Sequence, residues 1–364
     1  MVMNKNQHYV PRCYLRPFTH NAANLSIDIF NIDRRKFFER APVKNQCSRN
    51  YFYGEDLKLE KAFQSMEAFY AQTLRKISDS KYSLETPHSI LLKRFWLLQF
   101  LRTEAASMRA VKMTQTMENL IDIDGAVFRL EMRQAVQLAM TIFVEEKNIV
   151  DDLKICLLKN QTSIPFITSD DPAVLTNRWY LEVKRGCRNS YGLASAGTLL
   201  ILPLTPWVLC IGYDGDVYSL PNENGWISVR RETDVQALNQ HQFLNCMANI
   251  YMPDLANKEQ MYKEFTTLAP LRPVSRDVAH YAIFDHFNEA GERYCIIDHD
   301  QIKNLPHQKA LIHSQIVYPC PTKWPSFLRW RTNGTVYTNG SGTGFVRRSI
   351  SEKHPQKGYQ KKAR

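Results

Sequence analysis

The feature that most constrains this chain is a change of hydrophobic period at Gly54. Before it, LSIDIFNI and RKFFERAPV alternate apolar and polar residues around IDRR, the pattern of a hairpin. After it, Leu59, Phe63, Met66, Phe69 or Tyr70, and Leu74 recur every three or four residues, the stripe of an amphipathic helix. A chain carrying both periods has to bury a sheet face and a helix stripe together.

The helical period continues. Thr86-Pro87 opens HSILLKRFWLLQFLRTEAASMRAVKMTQTMENL, which is apolar on more than one face and is expected between other helices. A third run, roughly 125–160, has good helix formers and no proline. Residues 55–160 thus read as three helices. Beyond them, IPFITSDDPAVL is a short β-prone run stopped by a turn. TLLILPLTPWVLCIGYDGDVYSL reads as two strands broken at Pro203 and Pro206, then a turn at Asp214-Gly215. A helix is expected over about 232–250, and HYAIFDHF and RYCIIDHD fit strands or short helix fragments. The expected class is α+β, a central helical section packed on a mostly antiparallel sheet. One large domain covers 1–320, with a helical section at about 55–160 and a mixed, β-rich section at about 161–320. Residues 321–364 form a basic tail containing Pro, Gly and Ser, and its end is expected to be disordered.

Charge is unevenly spread. Residues 1–50 hold nine Lys/Arg against three Asp/Glu, and residues 321–364 hold ten against one. Out of a total of +11, the 270 residues between carry −4. Basic ends on a mildly acidic body suit a polyanion such as nucleic acid, or serve only as solubilising segments. No stretch approaches the ~18–20 apolar residues of a membrane helix. The start, MVMNKNQHYVPR, lacks the apolar core of a secretory signal, and the eight cysteines show no CxxC spacing. A cytoplasmic protein with reduced thiols is expected, with no membrane partner.

Near the start, NQHYVPRCYLRPF places Gln7, His8, Arg12 and Arg16 among aromatics and aliphatics. Docking Tyr9, Val10, Tyr14, Leu15 and Phe18 would carry Gln7, His8 and Arg12 into the body, where unpaired polar groups are costly. His8 then reads either as a hydrogen-bonded core histidine or as a functional one.

These residues, with others, resemble a bacterial family without an assigned activity, the domain of unknown function numbered 4238. The family opens with a segment like QHYVPRxYLRxF, matched from Gln7 to Phe18, and then has an extended piece, here Asn31-Ile32-Asp33. A helix with two spaced glutamates follows (Glu60 and Glu67), then QxxRTP in a long apolar helix, here Gln99 to Glu104 with glutamate replacing the proline. ITSDDP, Ile167 to Pro172, matches a TSDNP-like pattern. LPLTP, Leu202 to Pro206, and an asparagine-bearing helix, Asn239, come after it. The resemblance covers roughly residues 4–250 and implies no established reaction.

ITSDDP puts Ser169, Asp170 and Asp171 on a turn at a strand end, where sites are often built. Adjacent side chains point opposite ways along a strand, so one aspartate faces a given cleft. The resemblance selects Asp170; the plain reading is an Asx-turn or cap. Glu67 lies near the apolar stripe and wants a cation, either Arg102 or a metal, and a Glu67–Arg102 structural pair is the simpler choice.

His8, Glu67 and Asp170 can together supply nitrogen and oxygen ligands to a divalent metal. Such a metal activates water against a phosphodiester. One expectation is therefore a metal-dependent hydrolase acting on nucleic acid or a nucleotide. In it His8, Glu67, Arg102 and Asp170 are catalytic, and Gln7, Arg12, Ser169 and Asn239 bind substrate. The other is a non-enzymatic polyanion-binding protein whose buried polar groups only fix the fold. The sequence shows no GxxxxGK[ST], GxGxxG or GxSxG.

Overall fold

The computed structural model describes residues 6–20, 25–55, 58–79, 81–121, 130–183, 191–288, 291–297, 309–341 and 344–364. The chain opens with β1 (Asn6–His8) and the short α1 (Arg12–Leu15), then the hairpin β2 (Ser26–Asn31) and β3 (Lys36–Pro42). β4 (Ser48–Asn50) returns antiparallel to β1. Helices α2 (Lys58–Ile77), α3 (Thr86–Arg102), α4 (Glu104–Ile121) and α5 (Met132–Glu146) follow. Next come β5 (Lys154–Asn160), β6 (Thr168–Ser169), β7 (Val174–Thr176), α6 (Arg178–Glu182), β8 (Leu199–Thr205), β9 (Val208–Tyr213), β10 (Tyr218–Ser219) and β11 (Trp226–Val229). Then come α7 (Glu232–Asn245), β12 (Asn249–Met252) and α8 (Lys258–Leu268). The remainder holds β13 (Asp277–Asn288), β14 (Gly291–Ile297), β15 (Ala310–Ile316), β16 (Arg329–Trp330), β17 (Thr335–Thr338), β18 (Phe345–Val346), α9 (Arg348–Lys353) and β19 (Gln360–Ala363).

The fold is α+β. Two sheets organise it. One has strand order β11-β5-β9-β8-β7 and is antiparallel except where β11 runs parallel to β5. The other, β3-β2-β12-β6, is antiparallel and joins the start of the chain to residues 249–252. Helix α3 buries Leu92, Phe95, Trp96, Leu97 and Leu98, and its Trp96 indole N–H donates to the Ile201 carbonyl of β8 at 3.1 Å. Each such fully buried side chain contributes roughly 1.5–3 kcal/mol. A second core, with Phe30, Ile167, Phe243, Ile250, Met252 and Phe265, lies between the four-stranded sheet and helices α7 and α8.

Three expectations change. The third helical run ends at Glu146, and KICLLKN is β5, a central strand with neighbours on both sides. An apolar run buried on both faces carries no period that separates strand from helix. The long second helix breaks at Thr103, whose ψ of 157° is extended. Its hydroxyl accepts the Ala106 N–H at 3.1 Å, which makes it the N-cap of α4.

The third change is at the basic end, which does not trail. β19 pairs with β17, and Arg347 is 2% exposed, donating to both Asp152 carboxylate oxygens at 2.8 and 3.0 Å.

Candidate functional site

The N-terminal motif docks as its apolar residues require. Tyr14, Leu15 and Phe18 are fully buried. The Tyr14 hydroxyl donates to the Pro203 carbonyl at 2.7 Å and meets the Thr168 hydroxyl at 2.7 Å, linking the opening motif to ITSDDP. Gln7 is buried, and its amide clamps the turn before α2. It donates to the Gly54 carbonyl at 2.9 Å and accepts the Tyr53 N–H at 2.6 Å. Arg12, expected inside, is exposed at the first position of α1, while Tyr14 and Leu15 of the same turn are buried.

Arg102 ends α3 at the centre of this region, its side chain 2% exposed. It donates to the Tyr53 hydroxyl, the Glu67 carboxylate and the His8 carbonyl at 2.9, 2.9 and 2.8 Å. Its guanidinium also lies 4.6 Å from the Phe63 ring centroid, a cation–π contact. Glu67 and Arg102 are therefore partners, which is the simpler of the two sequence readings. The His8 imidazole stands at 3.2 Å from the Lys44 carbonyl, to which its Nε2–H donates. Burial pulls its pKa below the usual range, and the charges of Arg12 and Arg102 act the same way. Those two guanidiniums also make the place unfavourable for a metal cation.

Asp170 is buried and fully occupied. Its carboxylate accepts the N–H groups of Met247, Ala248 and Asn249, each at 2.8 Å. Burial pushes its pKa up to about 6 against the lowering effect of those three donors. Among the described residues, no three His, Cys, Asp or Glu side chains gather closely enough to hold a metal ion. His8, Glu67 and Asp170 thus do not converge on one point. Each has its own protein partner.

Helix α7 holds the acidic turn along one face. Asn239 accepts the Ile167 N–H at 3.1 Å and donates to the Pro165 carbonyl at 3.0 Å. Gln242 accepts from the Ser169 hydroxyl at 2.9 Å and donates to the Pro172 carbonyl at 2.9 Å. Asn245 donates to the Asp171 carbonyl at 2.6 Å. Asn239, Gln242 and Asn245 are spaced three apart and so share a helix face. Only Asn239 stood out in the sequence, although the spacing of all three was readable.

Asp171, passed over in favour of its neighbour, reaches the break between α3 and α4. It accepts from the Thr103 hydroxyl at 2.7 Å and from Arg109 at 2.5 Å. Arg109 is about one quarter exposed. Arg272 and Arg276 donate to the carbonyls at the end of α7, where cations oppose the helix dipole. Burial pulls the Arg276 pKa down to about 10, and the charge of Arg109 adds to that. Glu104, where the family pattern has proline, is the first residue of α4 and pairs with Arg49 at 2.8 Å. The break survives this exchange because Thr103 supplies the cap.

A second site lies elsewhere. A cleft of about 1110 Å³ is lined by the edge strand β11, residues 77–79 and 81–83 at and beyond the end of α2, the β8–β9 turn, and Ser326, Phe327 and Arg329. Gly225 allows the chain to cross there. Its φ is +82°, and a Cβ would fall 2.5 Å from that of Leu84. Lys81, Lys159, Arg230, Arg231 and Arg329 line the cleft, and all five are exposed. Among the described residues they form no ion pair; Arg230 donates only to the neutral Gln161 amide at 3.1 Å. Of the three acidic residues there, Asp79, Glu223 and Asp234, the last is occupied by the Ser326 N–H and hydroxyl at 2.7 and 2.8 Å. Sequence reading missed this cleft, since its cations come from four distant segments.

Comparison with known proteins follows the same lines. No curated protein and no solved structure matches the chain. A family model described as "Protein of unknown function (DUF4238)" matches residues 6–254. The match starts at the first residue of β1 and ends just after β12, so it spans the polar groups around Arg102 and Asp170 and closes with the four-stranded sheet. The chain belongs to the DUF4238 family.

Proposed function

We propose that this protein binds a polyanion, and that the binding surface is the cleft along β11. The observation that carries this reading is the set of five exposed cations, unpaired with any acid among the described residues, in one cleft of about 1110 Å³. Clustered positive charge in a concave surface attracts polyanions and weakens with salt. The buried groups around Arg102, Asp170 and Asn239 then act as a polar lock that fixes the scaffold. The metal-dependent hydrolase reading is carried less far. His8, Glu67 and Asp170 do not line the cleft, and each already bonds within the protein.

A reducing compartment such as the cytoplasm fits the cysteines: the seven described ones are free, and four of them are buried. None of the described helices is long and apolar enough to cross a membrane.

The test is fluorescence anisotropy with labelled polyphosphate and a labelled oligonucleotide at several salt concentrations. The wild-type chain should bind more weakly as salt rises. The double reversal Arg230→Glu with Arg231→Glu should weaken binding roughly tenfold or more and flatten the salt dependence. Absence of binding to either probe at low salt, or full affinity in the double variant, would remove the reading.

A further inference from the structure

The cleft carries more than charge. Trp207 lies in the turn between β8 and β9, and its side chain is 48% exposed although the chain around it is fixed. Its backbone N–H donates to the Thr205 hydroxyl at 3.0 Å, and its carbonyl accepts the Asn160 N–H at 2.9 Å. An indole open to water in the lining of a cleft that also carries five exposed cations offers a flat face for stacking. Trp226, also in the lining, differs: its indole N–H is tied to the Tyr82 carbonyl at 2.7 Å. Three further aromatics near basic residues are occupied too. Phe52 and Tyr53 are buried, and Trp330 sits with Arg178 and Arg364 each 4.8 Å from its ring centroid.

We propose that the polyanion is a single-stranded nucleic acid, one base of which stacks on the Trp207 indole while Lys159, Arg230 and Arg231 hold its phosphates. This inference rests on the polyanion reading and deepens it. A base offers a flat π-face for stacking, which polyphosphate and sulfated polysaccharides lack. In a duplex the base faces are already covered by their neighbours, so an exposed indole favours a strand whose bases are free. Charge supplies affinity without sequence preference, and stacking supplies the choice of a nucleic acid over other polyanions.

The experiment uses the full chain with three labelled probes: a thymidine oligonucleotide of about ten residues, within the range of strand-binding sites, an abasic oligonucleotide of equal length, and polyphosphate. Binding is read by anisotropy and by quenching of tryptophan fluorescence. The wild type should bind the thymidine strand roughly tenfold or more tightly than the abasic one. Trp207→Ala should remove that advantage and most of the quenching, leave polyphosphate binding unchanged, and be rescued largely by Trp207→Phe. Equal binding of the thymidine and abasic strands by the wild type would overturn the stacking proposal, even if Trp207→Ala folded poorly. Equal loss of polyphosphate binding in Trp207→Ala would overturn it too. Failure of all three probes to bind would instead overturn the polyanion reading, and the inference with it.

Discussion

Asp170 and Asn249 are bonded twice: the Asn249 N–H donates to the Asp170 carboxylate at 2.8 Å, and the Asp170 N–H donates to the Asn249 carbonyl at 3.1 Å. This pair of hydrogen bonds, with the two further N–H groups on the same carboxylate, fastens β6 to the turn between α7 and β12.

Asp170→Asn should destabilise the fold by roughly 1–3 kcal/mol. An amide can accept with its oxygen, but its NH₂ must then face a backbone N–H. Urea unfolding monitored by circular dichroism measures the loss. A stability equal to wild type would show that the turn does not depend on these bonds.

The same carboxyl sets a pH dependence. Its folded pKa of about 6 lies above the unfolded value, so its contribution is complete below about pH 4 and declines as pH rises through 6. Wild type should lose stability across that window relative to Asp170→Asn. Melting temperatures at closely spaced pH values provide the check.

His241 opposes this trend. Burial pulls its pKa down to about 3, its Nε2 has no hydrogen-bond partner among the described residues, and its ring lies 5.1 Å from Trp324. Its folded pKa lies below the unfolded value, so stability is complete above about pH 6.5 and falls as pH drops toward 3. His241→Phe should remove that acid sensitivity and raise the melting temperature at pH 5 by a few degrees. An unchanged acid slope in the variant would mean that the ring reaches water.

Removing the Arg102 side chain should cost about 3–5 kcal/mol, since Arg102→Ala leaves the Tyr53 hydroxyl without its donor, Glu67 without its cation, and the His8 carbonyl with only the longer 3.3 Å bond from the Tyr53 hydroxyl. Arg102→Lys keeps the charge but not the three-way fork, and an intermediate loss is expected. Glu67→Gln should cost less than either, because that carboxylate is about one quarter exposed. Equilibrium unfolding ranks the three variants, and a different order would contradict this account.

Cutting the chain after residue 343 should lower the melting temperature markedly. It removes the Arg347–Asp152 pair and strands β18 and β19 together. In the intact protein this end should resist limited proteolysis. Rapid trimming back to the region of residue 343 at native temperatures would show that the pairing is weak.

The hairpin β2–β3 and the stripe of α2 were legible because each shows one clean period: Phe63, Tyr70 and Leu74 are buried while Phe69 is 59% exposed. β5 was not legible, since Cys156, Leu157 and Leu158 are buried on both faces and read equally as helix. The pairing of Glu67 with Arg102 followed from the cost of a lone buried charge. The choice between Asp170 and Asp171 did not, because it depends on which side of the turn meets Thr103 and which meets residues 247–249. Basic ends were legible as charge, but packing alone reveals that the second is part of the body. The cleft was invisible for a related reason. Lys81, Lys159, Arg230 and Arg329 become neighbours only after the sheet has formed.

Asn31 and Asn249, 218 positions apart, are bonded through their side chains where β2 meets β12. During synthesis the amino-terminal hairpin must therefore wait until Met252 has left the ribosome before its inner edge finds a mate. Until then Phe30 and Ile29 are exposed on a nascent chain, a period in which chaperones would be most needed.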